Sequence, residues 1–314
     1  MRSGLWILVA VVIAGMIVGY VIRDRFRPPE PPDEQAELKT ITEITDSETK
    51  IEKLEDFIGD YPVSEIKSWA YSYIAREMLD VVKDTTRFVG FARQTIEKEK
   101  DAESKATMYY RLYGIKADTR PDEAALIGAE LLKVPVDVSW IYNDIGYDLA
   151  EKKRDLDLAL SLCTKGIELS KTSRDSAMCL DSRGLVNYQR GMYVEAIVDL
   201  EAATKLYEEP TEEVLGHLAN AYLKAGESDK AFGALKSILL LGEYQEARAT
   251  ADSMLTARGY SAKKKQQFEE ALWQERLAAA KPAVAFAMPT LRGDTYNFVP
   301  TKGEIVILNF MSPT

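Results

Sequence analysis

Two cysteines, one histidine and a few adjacent acid pairs are the residues of this chain whose types could support catalysis. Cys163 and Cys179 do not form a Cys-x-x-Cys pair, so their spacing does not point to redox catalysis. They fall on neighbouring antiparallel helices, each several residues from the intervening turn, and an oxidising compartment would permit a disulfide between them. The preferred expectation is two buried thiols serving as small apolar side chains. His217 is the single histidine, which excludes a multi-histidine metal site within one chain. Glu212-Glu213 and Glu269-Glu270 are sequence neighbours on different helix faces and read as solvated surface. Lys263-Lys264-Lys265 reads as an exposed face. There is no glycine-rich phosphate loop and no His-Glu-x-x-His, so no cofactor and no metal are expected.

What positions these residues is a recurring helical frame. A small residue is followed by alanine at near-constant distance: Gly146 to Ala159, Gly184 to Ala196, Ala219 to Ala231. Small residues are required where two antiparallel helices cross too closely for a larger side chain. The first unit reads Tyr142, Ile145-Gly146, Leu149, Ala159, Cys163, Gly166, with one extra residue in its turn at Arg154-Asp155. The second reads Leu180, Arg183-Gly184, Asn187, Ala196, Leu200, Ala203. The third reads Leu215, Leu218-Ala219, Tyr222, Ala231, Leu235, Ile238. Turns at Arg190-Gly191-Met192-Tyr193 and Ala225-Gly226-Glu227-Ser228 fall in the same phase, and glycine there suits a left-handed helix cap.

Residues 138–241 thus resemble three tetratricopeptide repeats, each a helix–turn–helix unit. The resemblance implies a right-handed α-solenoid whose first helices line a groove for a protein or peptide partner. Carried over position by position, that groove draws on Asn143, Tyr147, Asp181, Leu185, Tyr188, His217 and Asn220. The mixture suits an extended peptide. It lacks the paired lysine and asparagine positions with which related chaperone-adaptor repeats hold a C-terminal carboxylate.

Residues 37–137 predict degenerate helical repeats. Ile66, Trp69, Ala70, Tyr73, Ile74 and Ala75 make one apolar face, and Phe88, Val89, Ala92 and Ile96 another. Leu112 and Ala124 again stand twelve apart, with Gly128 and Leu131 following in frame, which predicts a divergent unit before the clear three. Pro62 and Pro121 fit helix borders. Residues 242–280 predict two closing helices.

Gly4 to Ile22 is an uninterrupted apolar run that, as a helix, would be about 28 Å long and match a bilayer's hydrocarbon core. It predicts an uncleaved single-span anchor over 4–22 rather than a signal peptide. Gly15 and Gly19 form a small-xxx-small pair through which two such spans could dimerise. Residues 23–36, rich in proline and acid, predict a stiff linker. The arginines after the span lean toward a cytoplasmic body. A net charge of −10 argues against nucleic acid as a partner.

From residue 281 the pattern changes. Phe286, Leu291, Gly293, Lys302-Gly303 and Asn309-Phe310 lead into a short branched strand, Glu304 to Phe310, of the kind buried on both faces of a sheet. This stretch, 281–314, resembles the opening of a thioredoxin-like domain of the membrane-anchored thiol–disulfide and peroxiredoxin-like type. It departs from that pattern at Pro282, which stands further from Phe286 than usual, and at Met311, where tryptophan is usual. The resemblance implies an extracytoplasmic, bacterial setting, against the charge bias across the span. It also implies a longer form or a vestigial module, since the Cys-x-x-Cys that would follow Thr314 is not in the sequence and the chain as it stands has no exchange site. The expectation is a mostly α protein ending in a short β segment. Its partner is a protein or peptide, and the alternative is a non-enzymatic membrane-tethered scaffold.

Overall fold

The computed structural model describes residues 33–242, 244–279, 286–289 and 295–298. The predicted span with Gly15 and Gly19, most of the linker, and the expected strand over 304–310 lie outside the described residues. Among the described residues no helix is long and apolar enough to cross a membrane.

Fourteen α-helices are described, and they follow one another in chain order as seven helix–turn–helix units. The first three hairpins are α1 (Glu34–Thr42) with α2 (Ser47–Asp60), α3 (Lys67–Arg76) with α4 (Thr85–Lys98), and α5 (Ala102–Lys116) with α6 (Pro121–Leu131). Then come α7 (Ser139–Glu151) with α8 (Leu156–Leu169), α9 (Ser173–Gln189) with α10 (Tyr193–Leu206), α11 (Glu212–Lys224) with α12 (Ser228–Leu241), and α13 (Gln245–Ala257) with α14 (Ala262–Ala279). A π-helical turn, Glu77–Val81, extends α3.

The local chemistry explains where the helices begin. Asp46, Asp84, Asp101 and Asp155 cap α2, α4, α5 and α8, each carboxylate accepting a hydrogen bond from a first-turn amide, and Thr211 does the same for α11. Such caps satisfy donors that the helix itself leaves unpaired. Pro121 stands at the start of α6, where its missing N–H costs nothing.

The turns inside the last four hairpins repeat one geometry. The amides of Arg154, Met192, Glu227 and Tyr260 donate to the carbonyls of Leu149, Asn187, Tyr222 and Leu255 at 2.8–3.0 Å. The residue before each donor is left-handed: Lys153, Gly191, Gly226 and Gly259, with φ between 54° and 80°. This is a left-handed C-cap made four times in phase. The fourth occurrence falls in the hairpin that the sequence marked only as closing helices. In the first, Asp155 is also left-handed, with φ 35°, and so absorbs the extra residue of that turn.

The chain divides into two compact units, Met1–Val186 and Asn187–Thr314. Gly184 and Ala196 fall on either side of that boundary. In the first unit, Ile51, Leu54, Phe57, Ile74, Phe88 and Met108 belong to one wholly buried apolar cluster. Phe88 and Ala92 are buried as their spacing predicts, while Trp69 is half exposed, at 53 %. Helix α6 rests on the next hairpin through Gly128, where an added methyl would touch Leu158 and Ile145 at 3.4 and 3.6 Å. In the second unit the core runs through Leu218, Ala219, Ala231, Leu235 and Ile238, with Ala251 and Leu255 beyond it.

Two short strands close the described residues. β1 (Phe286–Pro289) pairs antiparallel with β2 (Thr295–Phe298), Phe286 opposite Phe298 and Pro289 opposite Thr295.

Candidate partner-binding site

The seven residues assigned to the groove separate by depth. In the first unit Asn143, Asp181 and Leu185 are buried, at 6, 8 and 4 % exposure, so they do not offer a face to a partner. Tyr147, one turn beyond Asn143 on α7, is half buried. In the second unit Tyr188 and His217 are half buried, and Asn220, on the same face of α11 as His217, is exposed. Of the seven carried-over positions, Tyr147, Tyr188, His217 and Asn220 are thus the ones with accessible surface, and the other three are buried. Their neighbours explain it for Asn143: Gly166 of α8 comes so close that an added methyl would lie 3.3 Å from the Ser139 carbonyl and 3.6 Å from the Asn143 amide nitrogen. The side-chain oxygen Oδ1 of Asn143 is buried and finds no hydrogen-bond partner among the described residues.

Tyrosine–carboxylate rungs tie the first helices of successive hairpins in the first unit. Tyr110 donates to Asp144 at 3.2 Å and Tyr113 to Asp148 at 2.6 Å, joining α5 to α7. Burial pushes the Asp144 carboxyl above its ordinary range, against the hydrogen bonds from Tyr110 and Asn143. Burial, then the hydrogen bond to Asp148, raises the Tyr113 phenol. Lys152 bridges Asp148 and Asp118 at 2.7 Å each. Between α3 and the loop leading into α5, Lys67 and Tyr71 both reach Glu99, at 3.0 Å. In the second unit Asn187 donates to the buried Asp199 at 3.2 Å, and Tyr222 to Glu201 at 2.6 Å.

The aromatic surface that sequence reasoning missed lies on the first helices of hairpins. Trp140, at 49 % exposure, packs edge-on against Tyr110 with ring centroids 5.1 Å apart. Its place near the start of α7, two residues before the buried Tyr142, was the available signal, since successive helix positions point to different sides.

No disulfide joins Cys163 and Cys179. Both thiols are buried, each over a different glycine: Cys163 over Gly146, and Cys179 over Gly166. Ser170 donates to the Cys179 sulfur at 3.7 Å. Burial raises the Cys179 thiol above its ordinary range, and the nearby carboxylates of Asp175 and Asp144 add to it. Among the described residues no group of three or more His, Cys, Asp or Glu side chains is arranged to hold a metal.

No family model and no curated protein matches the chain. Among solved structures it is similar to a thermophilic TPR protein, TTC0263, of Thermus thermophilus. That likeness has 18 % identity and a TM-score of 0.31 over 71 % of this chain and 99 % of the other. It is also similar to the Cut9-Hcn1 hetero-tetramer of the APC/C, with 13 % identity and a TM-score of 0.30 over 78 % of this chain and 52 % of the other, about half its length. At such scores a likeness carries no functional weight, and the geometry of the chain itself has to supply it.

Proposed function

We propose that the helical hairpins are tetratricopeptide-type repeats that bind a protein or extended peptide along the first helices of the hairpins. The observation that carries this reading is the left-handed cap repeated in phase at Lys153, Gly191, Gly226 and Gly259. A fixed turn repeated in register presents equivalent helix faces at regular intervals, which is how repeat proteins build extended binding surfaces. Half-buried Tyr147 and Tyr188 and exposed Asn220 supply aromatic and amide contacts of the kind an extended peptide uses. A photo-crosslinker at Asn220 is expected to capture a defined partner in the native host, and one at Val198, exposed on a second helix, is expected not to. Equal capture at both positions would remove the groove reading.

The wider reading is a membrane-anchored protein, held by residues 4–22 with its body outside the cytoplasm and able to pair through Gly15 and Gly19. In its full-length form it is associated with a thioredoxin-like thiol–disulfide domain that begins within 281–314. The apolar run and the Phe286 to Phe310 pattern support it. Carbonate-resistant membrane association, lost on deletion of 4–22, tests the anchor. Protease accessibility of the body in spheroplasts tests the side: complete protection sinks the extracytoplasmic assignment. The intact mass from the native source tests the redox domain. A value near 35.2 kDa removes it, and an excess on the order of 100 residues supports it. A non-enzymatic scaffold is the second reading, favoured by one observation: both cysteines of the sequence are buried.

A further inference from the structure

A cavity of about 470 Å³ opens in the first unit between the π turn Glu77–Val81, α5 and α7. Its size lies within the roughly 300–1,000 Å³ typical of small-molecule sites. Leu79, Ile115 and Ile145 give the lining an aliphatic part, and its charged groups are Asp80, Arg111, Asp118, Asp148 and Lys152.

These charges sort into the paired and the unpaired. Lys152 is held between Asp118 and Asp148 at 2.7 Å each, and Asp148 also accepts from Tyr113 at 2.6 Å. That group is closed on itself. Asp80 and Arg111 have no ion pair or hydrogen bond among the described side chains, and both border the cavity. Asp80 is exposed and Arg111 half buried. One unpaired carboxylate and one unpaired guanidinium thus share a lining with Leu79, Ile115 and Ile145.

The backbone under Asp80 departs from regular helix. Glu77 to Val81 forms a π turn closed by the Val82 amide donating to the Glu77 carbonyl at 2.8 Å. Glu77 is itself pinned by Lys50 at 2.8 Å and Ser47 at 2.9 Å. Such wide turns recur at functional sites, where the extra residue redirects a side chain. Here it carries Leu79 and Asp80 into the cavity wall.

The geometry points to a site for a small zwitterion with an apolar side chain, an aliphatic α-amino acid. Its carboxylate pairs with Arg111, its ammonium with Asp80, and its side chain lies on Leu79, Ile115 and Ile145. A purely anionic ligand would gain Arg111 but face three carboxylates, and a purely cationic one would gain Asp80 but face Arg111 and Lys152. A guanidinium suits a carboxylate by its paired donors. This inference does not rest on the peptide-binding reading, since the cavity is lined by side chains distinct from Tyr147, Tyr188 and Asn220.

The test is calorimetric titration of the detergent-solubilised full chain with L-leucine, N-acetyl-L-leucine, L-leucinamide and L-leucyl-L-leucine. Leucine is expected to bind, and each of the other three to bind at least tenfold more weakly, because charged hydrogen bonds are lost or misplaced. Arg111→Met and Asp80→Asn should each weaken leucine at least tenfold, while Glu97→Gln, beside a separate cavity, leaves it unchanged. No heat with leucine at about 10 mM, a concentration that would reveal even a very weak site, overturns the assignment. So does an acetylated or amidated analogue that binds as tightly as leucine. Equal or tighter binding of the dipeptide transfers the site to chain termini and overturns the free amino acid. Leucine binding that survives both substitutions overturns it as well.

Discussion

The thiol of Cys163 occupies the space in which Gly146 would carry a side chain: a methyl group there would lie 2.5 Å from Sγ, 3.2 Å from the Ala159 carbonyl oxygen and 3.3 Å from the Cys163 amide nitrogen. The thiol end could turn aside, but the two backbone atoms of α8 could not. The closeness of α7 to α8 is therefore set by the absence of one carbon. Gly166 and Cys179 repeat the relationship one helix later, with the thiol at 3.0 Å from the same hypothetical methyl.

Gly146→Ala is expected to destabilise the protein by about 1–3 kcal/mol through overpacking. Gly90→Ala, inside α4 with nothing within 4 Å of the added methyl, is expected to stabilise it by about 0.5–1 kcal/mol through helix propensity. Urea midpoints at constant slope measure both. Cys163→Ala added to Gly146→Ala should recover part of the loss, since neighbouring changes couple. Strict additivity would show that the backbone contacts alone carry the strain.

Glu99 is half-buried, which opposes its charge, yet the backbone amides of Asp101 and Lys100 with Lys67 and Tyr71 hold its carboxyl down at about 2, from an ordinary 4.5. A carboxyl depressed in the folded state contributes stability that is fully present above its unfolded pKa. The contribution fades as pH falls from about 4.5 toward about 2. Glu99→Gln should lower stability at neutral pH and flatten the acid limb in that window. A wild-type curve that already stays flat between those values would contradict the assignment.

Neither thiol should be alkylated by iodoacetamide in the folded protein at about pH 8, near the ordinary thiol range, given burial of both and the raised Cys179 thiol. In denaturing urea both should react, giving two adducts by mass. A prompt adduct on the native protein would mean that α8 or α9 opens locally.

The left-handed turns divide by residue type. Gly226→Ala, at φ 80°, is expected to cost about 1–2 kcal/mol, because a Cβ is disfavoured there. Lys153, at φ 54°, already bears that burden, so Lys153→Gly should stabilise by about 0.5–1 kcal/mol. Opposite signs for these two changes in the urea midpoint are the expected result.

Much of this architecture was legible because helix packing leaves local marks. The Gly146 to Ala159 interval, the glycines at 191 and 226 and the extra residue near Asp155 each stand in the sequence as a residue type forced by backbone geometry. Ala124, Gly128 and Leu131 announced the hairpin of α5 and α6 in the same way, and all three are buried. The fourth cap, at Gly259, was equally visible but lay beyond the matched frame. Burial depth was not legible. Asn143 and Asp181 are polar yet buried, and for Asn143 the cover includes the close approach of Gly166 on the paired helix, a depth that residue type alone does not encode. The π turn at Glu77–Val81 was hidden too, since one surplus residue in a helix leaves no distinctive composition.

The repeated caps also bear on how the chain acquires its structure during synthesis. Four of the hairpins close through a bond between residues five apart, such as Glu227 to Tyr222, and need no residue made later. A ribosome adding about 5–20 residues per second takes seconds to deliver one hairpin, whereas closing a short loop takes about 10–100 ns. Folding thus outruns translation by many orders of magnitude. Within each unit a new hairpin meets a finished neighbour to pack upon, so the order of assembly there is written in the order of the message.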